Sequence, residues 1–289
     1  MVLKKEQTVK QVTTKQHYLP RYRLQHFLRS NNKYYVYSNG TNPNRRDRET
    51  GKNDSSFALC DKLYELTEVS AWKEHENLIE TSLLANDVEH EDAGEIKKAI
   101  NSIKANTKLS LSDSEWLGKY ALRMLYRSPA YMKEIKSLPQ FNDPMTYYAF
   151  MRFTQKSEHP HLTPQEWAIV EKSLNLHSDG TVILKNPHST FLLPDSGFGT
   201  CAYSNSTFLF TPLTPSICIV TSKGSCPILK RLNGTVVVAT INQVSAINKC
   251  LFFCSNTEVA SFYKLNKVYI KGLKNRVTAN GNSTMPNNL

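Results

Sequence analysis

The hydrophobic pattern of this sequence changes its period at about residue 181, and this change limits the fold more strongly than any other feature. Upstream, apolar residues recur at three- and four-residue intervals over 68–105 and over 116–125, which indicates amphipathic helices. Downstream, short β-branched or aromatic runs alternate with turn residues, which is typical of strands. Helices and strands that occupy separate parts of the chain predict an α+β fold.

The helical block is predicted to cover about residues 57–177. Gly94 is expected to divide its first helical pattern into two helices, because glycine weakens a helix interior. Ser112 and Glu115 have the spacing of a capping box and predict the start of the next helix, which Pro129 ends.

The strand-rich part is predicted to cover about residues 181–272 and to form an antiparallel or mixed sheet. One N-terminal strand at 33–37 is expected to join it, because that run is aromatic and β-branched. Asn233-Gly234 predicts a hairpin turn between about 227 and 240. A helix is predicted over 241–253, where the helical period returns.

Polar segments lie at both ends of the chain and near its start. Residues 1–15 are expected to be frayed and residues 273–289 to form a disordered tail, since both are poor in apolar side chains. The polar run 38–56 is predicted to be a loop. Residues 16–272 are then expected to fold as a single α+β domain.

The formal net charge of +11 is distributed unevenly along the chain. Residues 1–50 carry eleven Lys or Arg and three acids, and residues 201–289 carry nine and one, so each end is +8. Residues 61–120 carry seven basic and thirteen acidic side chains, which is −6. Basic ends that meet in space would form a surface that attracts phosphates, whereas separated ends would only pair with the acidic middle. The sequence leaves both arrangements open.

The sequence also bears on the cellular compartment. No apolar run reaches the ~18 residues of a membrane helix, and the N-terminus lacks the apolar segment of a secretory signal. A cytoplasmic protein without membrane contact is therefore predicted. The six cysteines include no C-x-x-C pair, which favours buried free thiols over a disulfide or a zinc site. Walker, Rossmann and nucleophile-elbow motifs are absent as well, so no standard motif names a reaction.

Six short motifs follow one another between residues 15 and 256. They are His17-Tyr18-Leu19-Pro20 within Gln16–Phe27, Tyr35-Val36-Tyr37, Asn77–Glu80 followed by Glu89, Arg127-Ser128-Pro129, Thr211–Pro215, and Asn242 with Asn248. In this order they resemble an uncharacterised, mostly bacterial family of domains of unknown function, whose hallmark is an N-terminal His-Tyr-x-Pro motif. The resemblance implies positions of interest and no known activity.

One element of that family differs in this chain. The family usually has Ser-Asp-x-Pro at a strand end, and the corresponding stretch here is Leu193-Pro194-Asp195-Ser196-Gly197. Only the aspartate, Asp195, is retained. A carboxylate at the end of an apolar strand is costly unless it has a partner or a function, so Asp195 is a candidate site residue.

The candidate catalytic residues are His17, Glu80 and Asp195, and the candidate ligands for Mg²⁺ or Mn²⁺ are Glu80 and Asp195. Carboxylates bind these cations and a histidine can act as general base, so this set suits the activation of a metal-bound water. The candidate substrate-binding residues are Arg21, Arg23 and Arg127, because a guanidinium can hold a phosphate bidentately.

The candidates also have purely structural interpretations. His17 can bond a backbone group and lock the following turn, and Glu80 can be a solvated helix charge or the partner of an arginine. On one straight helix Glu80 and Glu89 lie on opposite faces, whereas Glu76 shares the face of Glu80. The charge of Arg127 complements the dipole at a helix C-terminus, which explains it without a ligand.

Two functions follow from these residues. The first is a metal-dependent hydrolase that acts on nucleic acid, as a nuclease-like toxin or phage-defence effector does, with its site on a basic surface. The second is a non-enzymatic regulatory module that binds nucleic acid or an acidic partner protein. In that module the His-Tyr-x-Pro motif is a structural clasp that anchors the N-terminus to the helical block.

Overall fold

The computed structural model describes residues 15–17, 19, 21–51, 54, 56–61, 86–105, 108–139, 150, 168, 179–203 and 206–279. The helices within these residues are α1 (Arg21–Gln25), α2 (Asn86–Ala105), α3 (Leu111–Tyr126), α4 (Pro129–Lys136), α5 (Pro227–Arg231), α6 (Ile241–Phe253) and α7 (Lys267–Ala279). The strands are β1 (Lys15–His17), β2 (Lys33–Ser38), β3 (Arg48–Gly51), β4 (Leu59–Asp61), β5 (Val182–Lys185), β6 (Leu193–Pro194), β7 (Gly199–Tyr203), β8 (Ser206–Thr214), β9 (Ile217–Lys223), β10 (Val236–Val238) and β11 (Glu258–Ser261). The predicted α+β class is confirmed.

The larger sheet has the strand order β10-β5-β9-β8-β7. Strand β10 runs parallel to β5 and the other neighbours are antiparallel, so the sheet is mixed. Buried side chains alternate between its two faces, as the two-residue period of a strand requires. On β9, Ile217 and Ile219 pack with α2 and α3, whereas Cys218 and Val220 pack with α6. Helices therefore cover both faces of this sheet.

The second sheet joins the two ends of the chain. Its order is β3-β2-β11-β6 and all its pairs are antiparallel. Strand β2 is the N-terminal strand that the sequence predicts, and its partner β11 comes from the C-terminal part, with Tyr37 opposite Val259. A separate two-stranded ladder pairs β1 with β4. Two segments more than 200 residues apart in sequence are thus adjacent in space.

Helix α2 corrects the prediction that Gly94 divides the first helical pattern. The helix runs without interruption from Asn86 to Ala105. Its residues Ile96, Ile100 and Ile103 are buried, and their burial outweighs the ~1 kcal/mol propensity cost of one glycine. The part of this predicted helical pattern at 68–85 lies outside the described residues.

Replacing Gly94 with alanine is expected to raise the free energy of unfolding by about 0.5–1 kcal/mol. A Cβ at this position would have no heavy atom within 4 Å, so the gain in helix propensity is not offset by a clash. Chemical denaturation of the two proteins measures the difference. An unchanged or lower stability would mean that the helix does not continue through Gly94.

The hairpin predicted at Asn233-Gly234 is wrong. Residues 227–231 form helix α5, and β10 pairs in parallel with the distant β5 instead of antiparallel with a strand just before the turn. Gly234, at φ +76°, reverses the chain and donates its N–H to Thr181 O at 2.7 Å.

Three boundaries also differ from the prediction. Helix α3 begins after Ser110, whose hydroxyl accepts the N–H of Asp113, and not at the Ser112 box. Strand β3 lies in the predicted loop 38–56, and residues 273–279 of the predicted disordered tail belong to α7. By contrast, α6 has the predicted bounds. No helix within the described residues combines the length and hydropathy needed to cross a bilayer.

Candidate functional site

The His-Tyr-x-Pro segment begins as strand β1 and continues into helix α1. The backbone of His17 pairs with Leu59 of β4, and Arg21 is the first residue of α1. The side chains of His17 and Arg21, and Glu80 as a whole, lie outside the described residues. Their catalytic, metal-binding and substrate-binding roles stay predictions.

Arg23 lies on α1 with none of its side chain exposed to solvent. Its guanidinium donates through Nη1 to Tyr120 Oη at 2.9 Å, and through Nη2 to the carbonyl oxygens of Gly197, at 3.4 Å, and Pro212. The Cζ atom lies 5.5 Å from the centre of the Tyr120 ring. Within the described residues no carboxylate contacts this cation, so neutral oxygens and an aromatic face hold it.

The residues around Arg23 bring three distant segments of the chain together. Tyr22 Oη lies 2.9 Å from Tyr120 Oη on α3, and Leu19 is buried against Gly197. Gly197 has φ +82°, a conformation in which other residues are strained, and a Cβ there would lie 2.9 Å from Cδ1 of Leu19. The motif segment is thus fastened both to α3 and to the turn after β6. This contact set suits the clasp interpretation of the motif.

Asp195 follows β6 and is 1% exposed. Its Oδ1 accepts the N–H of Asn256 at 2.7 Å, and its Oδ2 accepts the N–H and the hydroxyl of Thr257, both at 2.9 Å, and the N–H of Glu258 at 3.2 Å. Burial raises the pKa of the Asp195 carboxyl, and these donors act in the opposite direction. Both oxygens are therefore engaged by the turn that follows α6.

The metal-binding prediction finds no added support in this part of the chain. Among the described residues, no group of three or more His, Cys, Asp and Glu side chains is arranged to hold a metal ion. The four groups that contact the oxygens of Asp195 are N–H and O–H donors of residues 256–258, and none of these four is a carboxylate.

Arg127 ends helix α3 and is 3% exposed, and its N–H donates to Arg123 O at 3.1 Å. Arg123, one turn earlier, is fully buried, with Cζ 5.4 Å from the ring centre of Tyr120 and 5.8 Å from that of Trp116. Arg123 is not among the site residues predicted from the sequence. Its signal is a cation inside the apolar stripe of a helix, a place where a guanidinium needs aromatic or polar partners.

Glu258 is a second residue that is not among the site residues predicted from the sequence. It is 1% exposed and forms ion pairs with Arg48 and, at 3.7 Å, with Arg45. Arg48 also contacts Asp54 at 2.8 Å. The signal was available, because Glu258 is the single acidic residue of 201–289. An isolated acid in an apolar strand predicts a buried ion pair.

The described cysteines, Cys201, Cys218, Cys226, Cys250 and Cys254, are free thiols, as the sequence predicts. Burial raises the pKa of the Cys218 and Cys254 thiols, and a hydrogen bond with Cys201 raises that of Cys250. Such thiols stay protonated near neutral pH and are weak nucleophiles.

The two basic ends of the chain meet along helix α7. Lys274 Nζ lies 2.9 Å from Oδ1 of Asp47, in the segment that carries Arg46. Lys267, Lys271 and Lys274 lie on one side of α7, because residues four and seven apart nearly coincide at 3.6 residues per turn. Arg46, Lys264, Lys267 and Lys271 are exposed. These four residues and the partly exposed Lys274 are called the basic surface below.

Together these contacts define an α+β protein whose N-terminal motif segment is locked against a mixed sheet. The chain belongs to the family described as "Protein of unknown function (DUF4238)", whose sequence model matches residues 15–263. This match confirms the predicted membership of an uncharacterised family. No curated protein and no solved structure matches the chain significantly.

Proposed function

We propose that this protein binds nucleic acid through the basic surface and hydrolyses its phosphodiester bonds. The meeting of the two basic ends, at the ion pair between Lys274 and Asp47, is the observation that carries the binding. Glu258, the single acid of 201–289, is buried and ion-paired. All exposed charged side chains from this part of the chain are therefore positive, and such a surface attracts a polyanion.

The spacing of the lysines on α7 suits a phosphate backbone. Lys267 and Lys274 are seven residues apart, which is about 10 Å along the axis at a rise of ~1.5 Å per residue. Over that length along the axis of a duplex, one strand carries about three phosphates, at ~3.4 Å of axis each. Arg46 and Lys264 add charge beside the helix, so the surface can follow a strand over several nucleotides.

The hydrolytic half of the proposal assigns His17 as general base and Glu80 as a ligand of Mg²⁺ or Mn²⁺, which would activate a water. It is supported by the motif positions of both residues and by Arg23, which ties α1, the helix that follows His17, to the sheet. Asp195 serves here as a positioning residue, because its oxygens are already engaged. Toxins and phage-defence effectors that cleave nucleic acid are the biological class that fits this activity.

Loss of two lysines from α7 tests the binding. For the Lys267→Ala/Lys271→Ala variant we expect at least about tenfold weaker binding of a labelled oligonucleotide, and a salt slope smaller by about 1.4 on a single strand. Fluorescence anisotropy across a salt series measures both. The matched control, Lys97→Ala/Lys104→Ala, removes two exposed charges from α2. Equal losses in the two variants would contradict the assignment of the site.

Cleavage is tested separately from binding. Labelled RNA and DNA are incubated with the protein in Mg²⁺, in Mn²⁺ and in EDTA. We expect fragments only with metal, and their loss in His17→Ala and Glu80→Ala at unchanged anisotropy. Intact substrates under all conditions, together with normal binding, would overturn the hydrolytic half and leave the binding half.

The clasp interpretation supplies the second candidate function, a regulatory module without catalysis. It is favoured by the burial of Leu19, Tyr22 and Arg23 against α3 and the sheet. The two candidates differ in the effect of His17→Ala. A clasp predicts a lower melting temperature together with weaker binding, whereas a general base predicts normal melting and binding without cleavage.

A further inference from the structure

Tyr263 is an exposed aromatic side chain beside the basic surface. It is 58% exposed, and it immediately precedes Lys264. Its ring meets that of Phe262 edge to face, at 4.8 Å between centres and 86° between planes. The structure therefore places an aromatic ring in solvent, one residue before the exposed Lys264 and four residues before the exposed Lys267.

The backbone on both sides of Tyr263 is fixed. The hydroxyl of Ser261 donates to Tyr263 O at 2.8 Å, and Leu265 donates its N–H to Tyr37 Oη at 2.7 Å. The N–H of Val268 is bonded to the side chain of Asn266 at 2.7 Å, which sets the start of α7. The ring is consequently presented from an ordered turn, and little conformational entropy is lost when a ligand stacks on it.

From this geometry we infer that the basic surface selects single-stranded nucleic acid and stacks a base on Tyr263. The inference rests on the proposed nucleic-acid binding and names its substrate class. A tyrosine ring can cover the face of an unpaired base while neighbouring lysines hold the adjacent phosphates. In a duplex the base faces are covered by stacking, so Tyr263 would contribute nothing.

An anionic membrane is the competing ligand for a surface with lysines and an exposed ring. A helix that lies on a bilayer buries a continuous apolar face in it. The apolar face of α7 is already used, because Ile270 and Leu273 are buried in the protein core. Within the described residues 263–275, the large apolar side chains that are exposed are Tyr263 and Val268. The charge and the single ring thus favour a nucleic-acid strand.

The test compares a labelled 12-nucleotide single strand with its duplex, by anisotropy at fixed salt. Tyr263→Ala is expected to bind the single strand about tenfold more weakly, with an unchanged duplex affinity and an unchanged salt slope. Tyr263→Phe keeps the ring face and is expected to bind like the unaltered protein. Position 263 is exposed, so neither substitution removes a core contact. The melting temperature of each variant confirms that it folds.

The outcomes separate the inference from the proposed function. Unchanged single-strand binding in Tyr263→Ala, with weaker binding in Lys267→Ala/Lys271→Ala, overturns stacking and keeps nucleic-acid binding. Equal affinity of the unaltered protein for the single strand and for the duplex also overturns the inferred preference for single-stranded nucleic acid. No binding to either nucleic acid, with binding to vesicles that contain anionic lipid, overturns both proposals.

Discussion

Replacing Arg23 with methionine is expected to lower the free energy of unfolding by about 2–4 kcal/mol. The variant keeps an apolar stem of similar length and removes the donors that reach Gly197 O and Pro212 O. A buried acceptor that loses its donor costs about 1–3 kcal/mol, and two are affected. Urea denaturation measures the change, and Arg231→Met, at an exposed position on α5, is the control, with less than about 0.5 kcal/mol expected.

The sign of that result distinguishes two roles for Arg23. A fully buried cation without a carboxylate partner among the described residues carries a desolvation cost. If its hydrogen bonds outweigh that cost, Arg23 is part of the clasp and the variant is less stable. A variant as stable as the unaltered protein, or more stable, would contradict the structural role of Arg23.

Local signals in the sequence predict some elements well. Helix α6 has the predicted bounds because two independent local signals agree: its apolar stripe, and the capping box that Thr240 and Gln243 form at its start. The hairpin predicted for β10 is wrong because its pairing partner is distant in sequence. Its partner β5 lies some fifty residues upstream, and no local pattern reports a parallel pairing over that distance. Asn233-Gly234 marks a reversal of the chain but not the element to which the chain returns.

The segments that form the candidate site could be predicted from the sequence, but the burial of their side chains could not. The ordered motifs supported the family resemblance, and the contacts of Arg23 with Gly197 and Pro212 join three of the segments quoted for it. The burial of Arg23 could not be predicted, because α1 has only five residues. So short a helix does not repeat its apolar pattern often enough to indicate which side faces the core. The charge distribution gave the complementary information. It left open whether the basic ends meet, and the pairing of β2 with β11 decides that they do.

Asp195→Asn is expected to lower the free energy of unfolding by about 2–4 kcal/mol, although the two side chains have the same shape. The carboxylate accepts four hydrogen bonds, three of them from backbone N–H groups of residues 256–258. An asparagine must turn its NH₂ group toward one set of these donors, so at least one buried bond becomes a repulsive contact. Thermal and urea unfolding measure the loss.

The control for Asp195→Asn is Asp113→Asn in the first turn of α3, where the carboxylate is partly exposed and a loss below about 1 kcal/mol is expected. The comparison bears on the proposed reaction, because a positioning role and a metal-binding role predict different patterns. If Asp195 is a positioning residue, Asp195→Asn lowers the stability of the metal-free protein, and any loss of cleavage follows the unfolded fraction. A stable Asp195→Asn protein that has lost only its metal-dependent cleavage would contradict the positioning role. It would instead support the predicted role of Asp195 as a metal ligand.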